Sequence, residues 1–142
     1  MKRLAFLLVA VSLLTSGCAW FDDPSPEEAR VFITGDPGKQ VRLIISTRFV
    51  ASVNEQGITR VVIIEADTTL ITLPHDHVYS IGEDQRFFVE AARQDADFQS
   101  LRMEVYIDSR RQFEEGGPLL TDQPYRFVYT FNQAITREIV VI

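Results

Sequence analysis

The sequence predicts an all-β domain, an antiparallel sandwich of immunoglobulin-like type with about seven to eight strands, preceded by a short apolar helix. Three observations predict it. Apolar side chains recur at every second position along several runs, which is the period of a half-buried strand and not of a helix. Those runs are rich in the β-branched and aromatic residues that suit a pleated surface. Clusters of Gly, Pro, Asn and Asp separate the runs at short intervals, as in sandwiches and barrels.

Each expected strand has its own pattern and its own stop. Val31–Thr34 is closed by the turn Gly35-Asp36-Pro37-Gly38. In Gln40–Ala51, Val41, Leu43, Ile45, Thr47 and Phe49 alternate with Arg42, Ile44, Ser46 and Arg48. Asn54-Glu55-Gln56-Gly57 then precedes Thr59–Ala66, and a further run, Thr69–Leu73, is stopped by Pro74. Gly82-Glu83-Asp84 leads into Arg86–Ala92. There the consecutive Phe87 and Phe88 must point to opposite faces, so one of them caps an apolar patch on the outer face or is covered by a loop. Leu101–Arg110 carries Leu101, Met103, Val105 and Ile107 on its apolar face. Gly116-Gly117-Pro118 opens a longer connection to Pro124–Phe131, where Tyr125, Phe127, Tyr129 and Phe131 share a face. Thr136–Ile142 is the final strand. The aromatic side chains are assigned to core and cross-strand packing.

The amino terminus has a different character. Lys2 and Arg3 precede the apolar stretch Leu4–Leu14. As a helix that stretch is about 16 Å long, against a bilayer core of about 30 Å. It has the dimensions of a signal-peptide core and is too short for a mature membrane span. Leu14-Thr15-Ser16-Gly17-Cys18 follows. This resembles the lipobox of bacterial lipoproteins, in which small residues precede the cysteine that receives lipid. Thr15 stands where that family usually has an aliphatic residue, with Leu14 one step earlier. The resemblance implies a signal peptide over residues 1–17, cleavage before Cys18, and diacylglycerol plus an N-acyl chain such as palmitate on Cys18. Two or three acyl chains hold a protein on a membrane where one alone holds weakly. Ala19, where Asp would signal inner-membrane retention, implies the periplasmic face of the outer membrane in a Gram-negative cell.

Residues 18–29 then form the lipidated cysteine and a polar tether with Asp22, Asp23, Pro24, Pro26, Glu27 and Glu28, leaving residues 30–142 as the sandwich domain. Trp20 and Phe21 suit a lipid interface or a plain linker. The chain carries a net charge of −6, and loss of Lys2 and Arg3 makes it more negative. An acidic domain is a poor partner for nucleic acid. Cys18 is the only cysteine, so the mature domain has neither a disulfide nor a CxxC motif.

The order of runs from Ser46 to Gly116 is similar to the small β-sandwich of MmpS-type transport accessory proteins, which are membrane-anchored envelope domains. The likeness passes through Leu73-Pro74, Arg86-Phe87-Phe88-Val89-Glu90-Ala91 and Arg102-Met103-Glu104-Val105-Tyr106-Ile107-Asp108. This chain lacks the paired cysteines many members carry, and no functional residue transfers from the resemblance.

Candidate chemistry is sparse. His75-Asp76-His77 holds the only two histidines, and residues two apart on a strand point to one side where they could share a metal. No third ligand is identifiable, and the triplet after Pro74 reads as a polar loop. Asp95 and Asp97 echo the start of a calcium loop, but the sixth and twelfth positions are Ser100 and Tyr106 where glycine and glutamate are required. Ser80 lacks the glycine pattern of a nucleophile elbow. Glu114-Glu115-Gly116-Gly117 could be a mobile loop that contacts a partner. The expected function is therefore a non-catalytic, membrane-anchored binding or accessory module for another envelope protein, with lipid as its only attached group. The alternatives are a structural protein that oligomerises through edge strands such as Thr136–Ile142, and a metal-dependent enzyme centred on His75, Asp76 and His77.

Replacing the thiol tests the anchor. Cys18→Ala is expected to abolish both lipid attachment and processing, so that mass spectrometry of the membrane fraction finds no acylated chain. Normal membrane retention of the variant refutes the anchor.

Overall fold

A computed structural model of the chain describes residues 25–81, 84–94, 100–118, 123–130, 133–135 and 138–142. The signal segment, Cys18, Trp20, Phe21, Asp95, Asp97 and Phe131 lie outside these residues. Among the described residues every regular element is a strand: β1 (Glu28–Gly35), β2 (Gln40–Val53), β3 (Thr59–Thr72), β4 (His75–Ser80), β5 (Arg86–Arg93), β6 (Leu101–Ile107), β7 (Arg110–Gly117), β8 (Tyr125–Thr130), β9 (Gln133–Ile135) and β10 (Ile139–Val141). They form two sheets, ordered β4-β1-β6-β7 and β10-β3-β2-β5-β8-β9. All described pairs are antiparallel except β10 with β3, which is parallel.

The expected period-two pattern does its work in the space between the sheets. Ala29, Val31 and Ile33 of β1 and Met103, Val105 and Ile107 of β6 meet Val41 and Leu43 of β2, Phe87, Val89 and Ala91 of β5, and Tyr125, Phe127 and Tyr129 of β8. Phe113 of β7 reaches across to Phe127 with ring centroids 5.6 Å apart. Burying each such side chain contributes about 1.5–3 kcal/mol. With no disulfide in the domain, this layer is the main source of its stability.

A second, smaller cluster lies on the outer face of the six-stranded sheet. Phe88 and Val128, which alternate with the core residues Phe87 and Phe127, are covered by Phe49, Val61 and Ile139. Phe49 and Phe88 sit 6.2 Å apart, centroid to centroid. The cover is neither solvent nor a loop but the far half of the β2–β3 hairpin, together with β10. Two irregularities in the β2–β3 pairing, between Ile45 and Arg48 and between Arg48 and Phe49, make this possible. Before it, Ile45 packs on the inner core and Ile44 on the outer cluster. After it, Phe49 and Ala51 belong to the outer cluster. The two shifts cancel in register, with Ile45 opposite Asp67 and Phe49 opposite Ile63, so both strands of the hairpin change face and bend together, as local ladder irregularities allow. Ser46, only 3% exposed, pins the bend: its hydroxyl donates to the Glu65 carbonyl at 2.6 Å and accepts from the Arg48 amide at 3.1 Å. Glu90, also buried, is held by Arg126 at 2.7 Å and approached by Arg42 at 3.7 Å. Arg126 in turn donates to the Ile139 carbonyl at 2.9 Å, which ties β10 down over the sheet.

Four sequence expectations change. Thr59–Ala66 and Thr69–Leu73 are one strand, β3, because nothing in Asp67-Thr68 stops an extended chain. His75-Asp76-His77 is not a loop but the start of β4, because the chain passes from Leu73-Pro74 directly into pairing with β1. Leu101–Arg110 ends at Ile107, where Asp108 and Ser109 take positive φ angles of 43° and 66° and turn the chain into β7. Two such residues make a hairpin turn whose twist matches the strands. The Asp108 carboxylate earns its place by accepting from the Glu27 and Glu28 amides at 3.1 and 3.2 Å. Glu114-Glu115-Gly116-Gly117 is then the far end of β7 and not a mobile loop.

Two substitutions test this packing. Ser46→Ala leaves the bulge carbonyl and amide without their partner and is expected to cost about 1–3 kcal/mol. Phe88→Ala empties the outer cluster and is expected to cost about 3–5 kcal/mol. Urea unfolding followed by circular dichroism measures both, and an unchanged Ser46→Ala midpoint removes the pin from the account.

Candidate functional site

The histidines occupy the edge strand β4. His75 lies opposite Ile33 and His77 opposite Val31, both core residues, so the two rings point inward at the open side of the sandwich. Their centroids are 6.1 Å apart. Tyr79 continues the row: His77 meets its ring edge-on at 4.7 Å, and Tyr79 lies 6.0 Å from Phe87. The Nε2 atom of His75 is hydrogen-bonded to the Tyr79 hydroxyl at 3.2 Å. Partial burial, with the neighbouring His77 adding to it, pushes the His75 ring below its ordinary pKa, and Asp76 opposes this only weakly. Burial raises the Tyr79 hydroxyl. Asp76 points to the opposite face and is claimed by Arg30, whose Nε donates to it at 2.7 Å. A zinc site needs three or four converging ligands. Among the described residues no group of three or more His, Cys, Asp and Glu side chains converges. What β4 contributes is an aromatic row along the mouth of the core.

The outer face of the four-stranded sheet carries a continuous belt of charge. From Asp76 it passes to Arg30, whose guanidinium carbon lies 5.9 Å from the Phe32 and Tyr106 ring centres. The Tyr106 hydroxyl donates to Glu104, and that hydrogen bond, with Arg102 and Arg111 nearby, holds the Glu104 carboxyl below its ordinary range. Glu104 and Glu114 face each other directly across β6 and β7. Like charges in that position repel, and two guanidiniums separate them. Arg102 contacts Glu104 at 3.0 Å and Glu114 at 2.6 Å, and Arg111 contacts Glu114 at 2.8 Å. Glu114 is thus engaged inside the sheet's own network. Glu115 pairs with Met103, Gly116 with Arg102 and Gly117 with Leu101. The segment that could be a mobile partner-contact loop is instead a paired strand.

A third region was not legible as a site in the sequence. On its outer side, β3 is paired by β10 only over Thr59–Val61. Among the described residues, the run from Val62 to Thr72 has no strand beside it on that side. Glu65, Ala66, Asp67, Thr68, Thr69 and Leu70 are exposed one after another, so neither face of this stretch is covered. The middle of the run borders a cleft of about 290 Å³ lined by Ile45, Ser46, Arg48, Glu65, Asp67 and Tyr79 among others. The bulge opens this cleft on one side and the end of the aromatic row closes it on the other. Arg48 pairs with Glu65 across its rim. The arrangement offers backbone donors and acceptors along an open edge, with a side-chain-sized hollow at its centre.

Comparison of the chain with protein-family models, with curated proteins and with solved structures finds no match.

The His75 ring gives a pH signature. Its folded-state pKa is lowered, so between about 6.5, the unfolded value, and that lower value the unfolded chain binds more protons. Stability therefore falls as pH drops through this window. The carboxylates Asp76 and Glu104, held down by Arg30 and by Tyr106 with its arginine neighbours, lose their contribution only at more acid pH. Urea midpoints compared between about pH 7 and about pH 5 are expected to fall in the parent chain and to fall less in His75→Asn. An identical fall in both assigns the effect elsewhere.

Proposed function

We propose that the chain is a bacterial envelope lipoprotein, lipidated at Cys18, whose β domain is a non-catalytic docking module for another envelope protein. The single observation that carries the docking reading is the unpaired run of β3 with the cleft at its middle. An extended partner segment adds there as the next strand. Its backbone supplies the hydrogen bonds, and one of its alternate side chains enters the cleft, which is how strand addition combines affinity with selectivity. The membrane address stands on the lipobox-like sequence, and Ala19 favours the outer membrane facing the periplasm. The fold belonging to this reading is a sandwich that is immunoglobulin-like in its sheet-on-sheet packing but has its own strand order. Here β1 and β2 lie in different sheets, whereas the first two strands of the immunoglobulin constant type share one.

Self-association is the second reading, favoured by the same free edge and by β10 at the border of its sheet. The charges on β3 weigh against it. Two copies pairing antiparallel about Ala66 would set Glu65 of each opposite Asp67 of the other, and like charges opposite each other destabilise a ladder. Charged edges are a known defence against edge-to-edge pairing. A partner strand without acidic residues at that point meets no such barrier.

The full lipidated chain, gently extracted from its own envelope, is expected to co-purify with one discrete membrane protein. Ala66→Lys combined with Leu70→Lys, both at exposed positions of the free run, is expected to abolish that association while leaving the unfolding midpoint nearly unchanged. Recovery of only free monomer from the parent chain overturns the proposal, and recovery of a homo-oligomer replaces it with the second reading.

A further inference from the structure

The hairpin half beyond the bulge, together with β10, forms a three-stranded arm with two unlike faces. One face, with Phe49, Val61 and Ile139, is buried on Phe88 and Val128. The other carries Val50, Val62, Ile64, Val140 and Ile142. Register puts Val50 beside Val62 and Val140 beside Arg60, and the Ile142 amide donates to the Val61 carbonyl, continuing the β10 ladder so that Ile142 falls beside Val62. These five side chains are 46–69% exposed. They make up most of the large aliphatic residues left exposed among the described residues. In Phe49–Val53, Thr59–Ile64 and Ile139–Ile142 the only charged residue is Arg60, in a chain of net charge −6. A contiguous apolar face with one cation on it, bordered at its strand ends by the Arg48–Glu65 pair and Glu138, is unlike the rest of this acidic surface.

We infer that this face seats on the lipid bilayer into which Cys18 is anchored. The inference rests on the lipid anchor proposed above and adds a second, non-covalent membrane contact. The position of the tether carries it. Ser25 accepts a hydrogen bond from Gln85 Nε2 at 2.7 Å, and the next residue, Arg86, donates to the Phe49 carbonyl at 2.9 Å. The root of the tether and the root of the arm are therefore held together. Cys18 is seven residues before Ser25, a reach of at most ~25 Å. The five residues Phe49–Val53 extend for about 17 Å, so the arm and the lipidated cysteine work within one short distance of the bilayer. Apolar area and a cation are what a surface-lying element needs to enter the headgroup region, and Arg60 answers anionic lipid where the remainder of the domain would be repelled. Seating the arm would fix the orientation of the domain and hold the free edge of β3 at a set height above the membrane.

The full lipidated chain in phosphatidylethanolamine–phosphatidylglycerol vesicles tests this. Cys18 is blocked by its thioether, so Val62→Cys can be labelled alone with an environment-sensitive fluorophore, with Ile142→Cys as a second probe and Gln112→Cys on β7 as the control. Flotation reports the anchor. Quenching by lipids brominated in their acyl chains reports the docking, because an apolar face at the surface lies ~5–10 Å into the headgroup–acyl boundary. The expected result is flotation of all three chains, loss of roughly half the emission at positions 62 and 142, and none at 112. Flotation without quenching at 62 and 142 overturns the docking and leaves the anchor standing. Failure to float overturns both. Shielding of position 62 that ignores bromination and rises with protein-to-lipid ratio assigns the face to a second copy and also overturns the inference.

Discussion

The paired irregularity of the β2–β3 hairpin on either side of Arg48 is the constraint on which the rest of the molecule depends. Without it, Phe49 and Ala51 would fall on the face of the hairpin opposite to Phe88, and the outer cluster would not exist. With it, a hairpin that begins as part of one sheet becomes the cover of that sheet's own back. Ser46 supports the bend from a buried place, its hydroxyl donating to the Glu65 carbonyl and accepting from the Arg48 amide. Buried backbone groups left unpaired are costly, so a small hydroxyl side chain at this position is a structural requirement and not a surface choice. The cleft, the free edge and the exposed aliphatic face all lie within a few residues of this bend.

The two sheets divide their labour. The four-stranded sheet turns a saturated belt of charge to solvent, from Asp76 through Arg30, Tyr106 and Glu104 to Arg102, Arg111 and Glu114. Such exposed pairs each contribute little to stability, but a surface whose charges are already matched to one another offers few open hydrogen-bonding groups to anything else. The six-stranded sheet is the opposite. Among the described residues its β3 border is open, its arm is largely apolar, and its buried carboxylate Glu90 holds β10 in place through Arg126. Among the described residues, the open strand border and most of the exposed aliphatic side chains are thus concentrated on the six-stranded sheet.

How much of this was legible in the sequence varied with the physics involved. The all-β class and the core were readable because inward-facing residues alternate strictly in β5, β6 and β8, where both neighbours in the sheet are present. The opposite orientation of Phe87 and Phe88 followed from strand geometry alone, but what covers Phe88 did not, since its partners Phe49, Val61 and Ile139 are distant in sequence. The bend was illegible because Ser46-Thr47-Arg48 continues the apparent alternation, and only the tertiary packing, with Ile45 on the inner core and Phe49 on the outer cluster, reveals the change of face. The β6–β7 hairpin was missed because Asp108-Ser109 is not one of the glycine-containing pairs that usually announce such a turn. β4 was missed because an edge strand covered on one side has little apolar signal, and His75, Asp76 and His77 look like a loop when the pairing with β1 is unseen. Of the candidate residues, the histidines do share a side, while Glu114 to Gly117 are absorbed into a sheet. The free run of β3 could not be found from composition at all, because an absent neighbour leaves no mark on the strand that lacks it.

The parallel pairing of β10 with β3 also bears on the order in which the molecule assembles. The β2–β3 hairpin closes through the short Asn54–Ile58 connection and forms early, since short loops cost least to close. The strip that completes the arm, Ile139–Val141, is separated from the hairpin by β4 to β9 and pairs with β3 only across that long stretch. Until Ile139–Val141 arrives, Phe88 and Val128 are only half roofed and the hairpin's border is bare along its whole length. Long-range contacts of this kind slow folding and prolong exposure to aggregation. A chain of this design passes through a sticky interval that closes only when β10 has paired with β3, so completion of the arm is the step most exposed to aggregation.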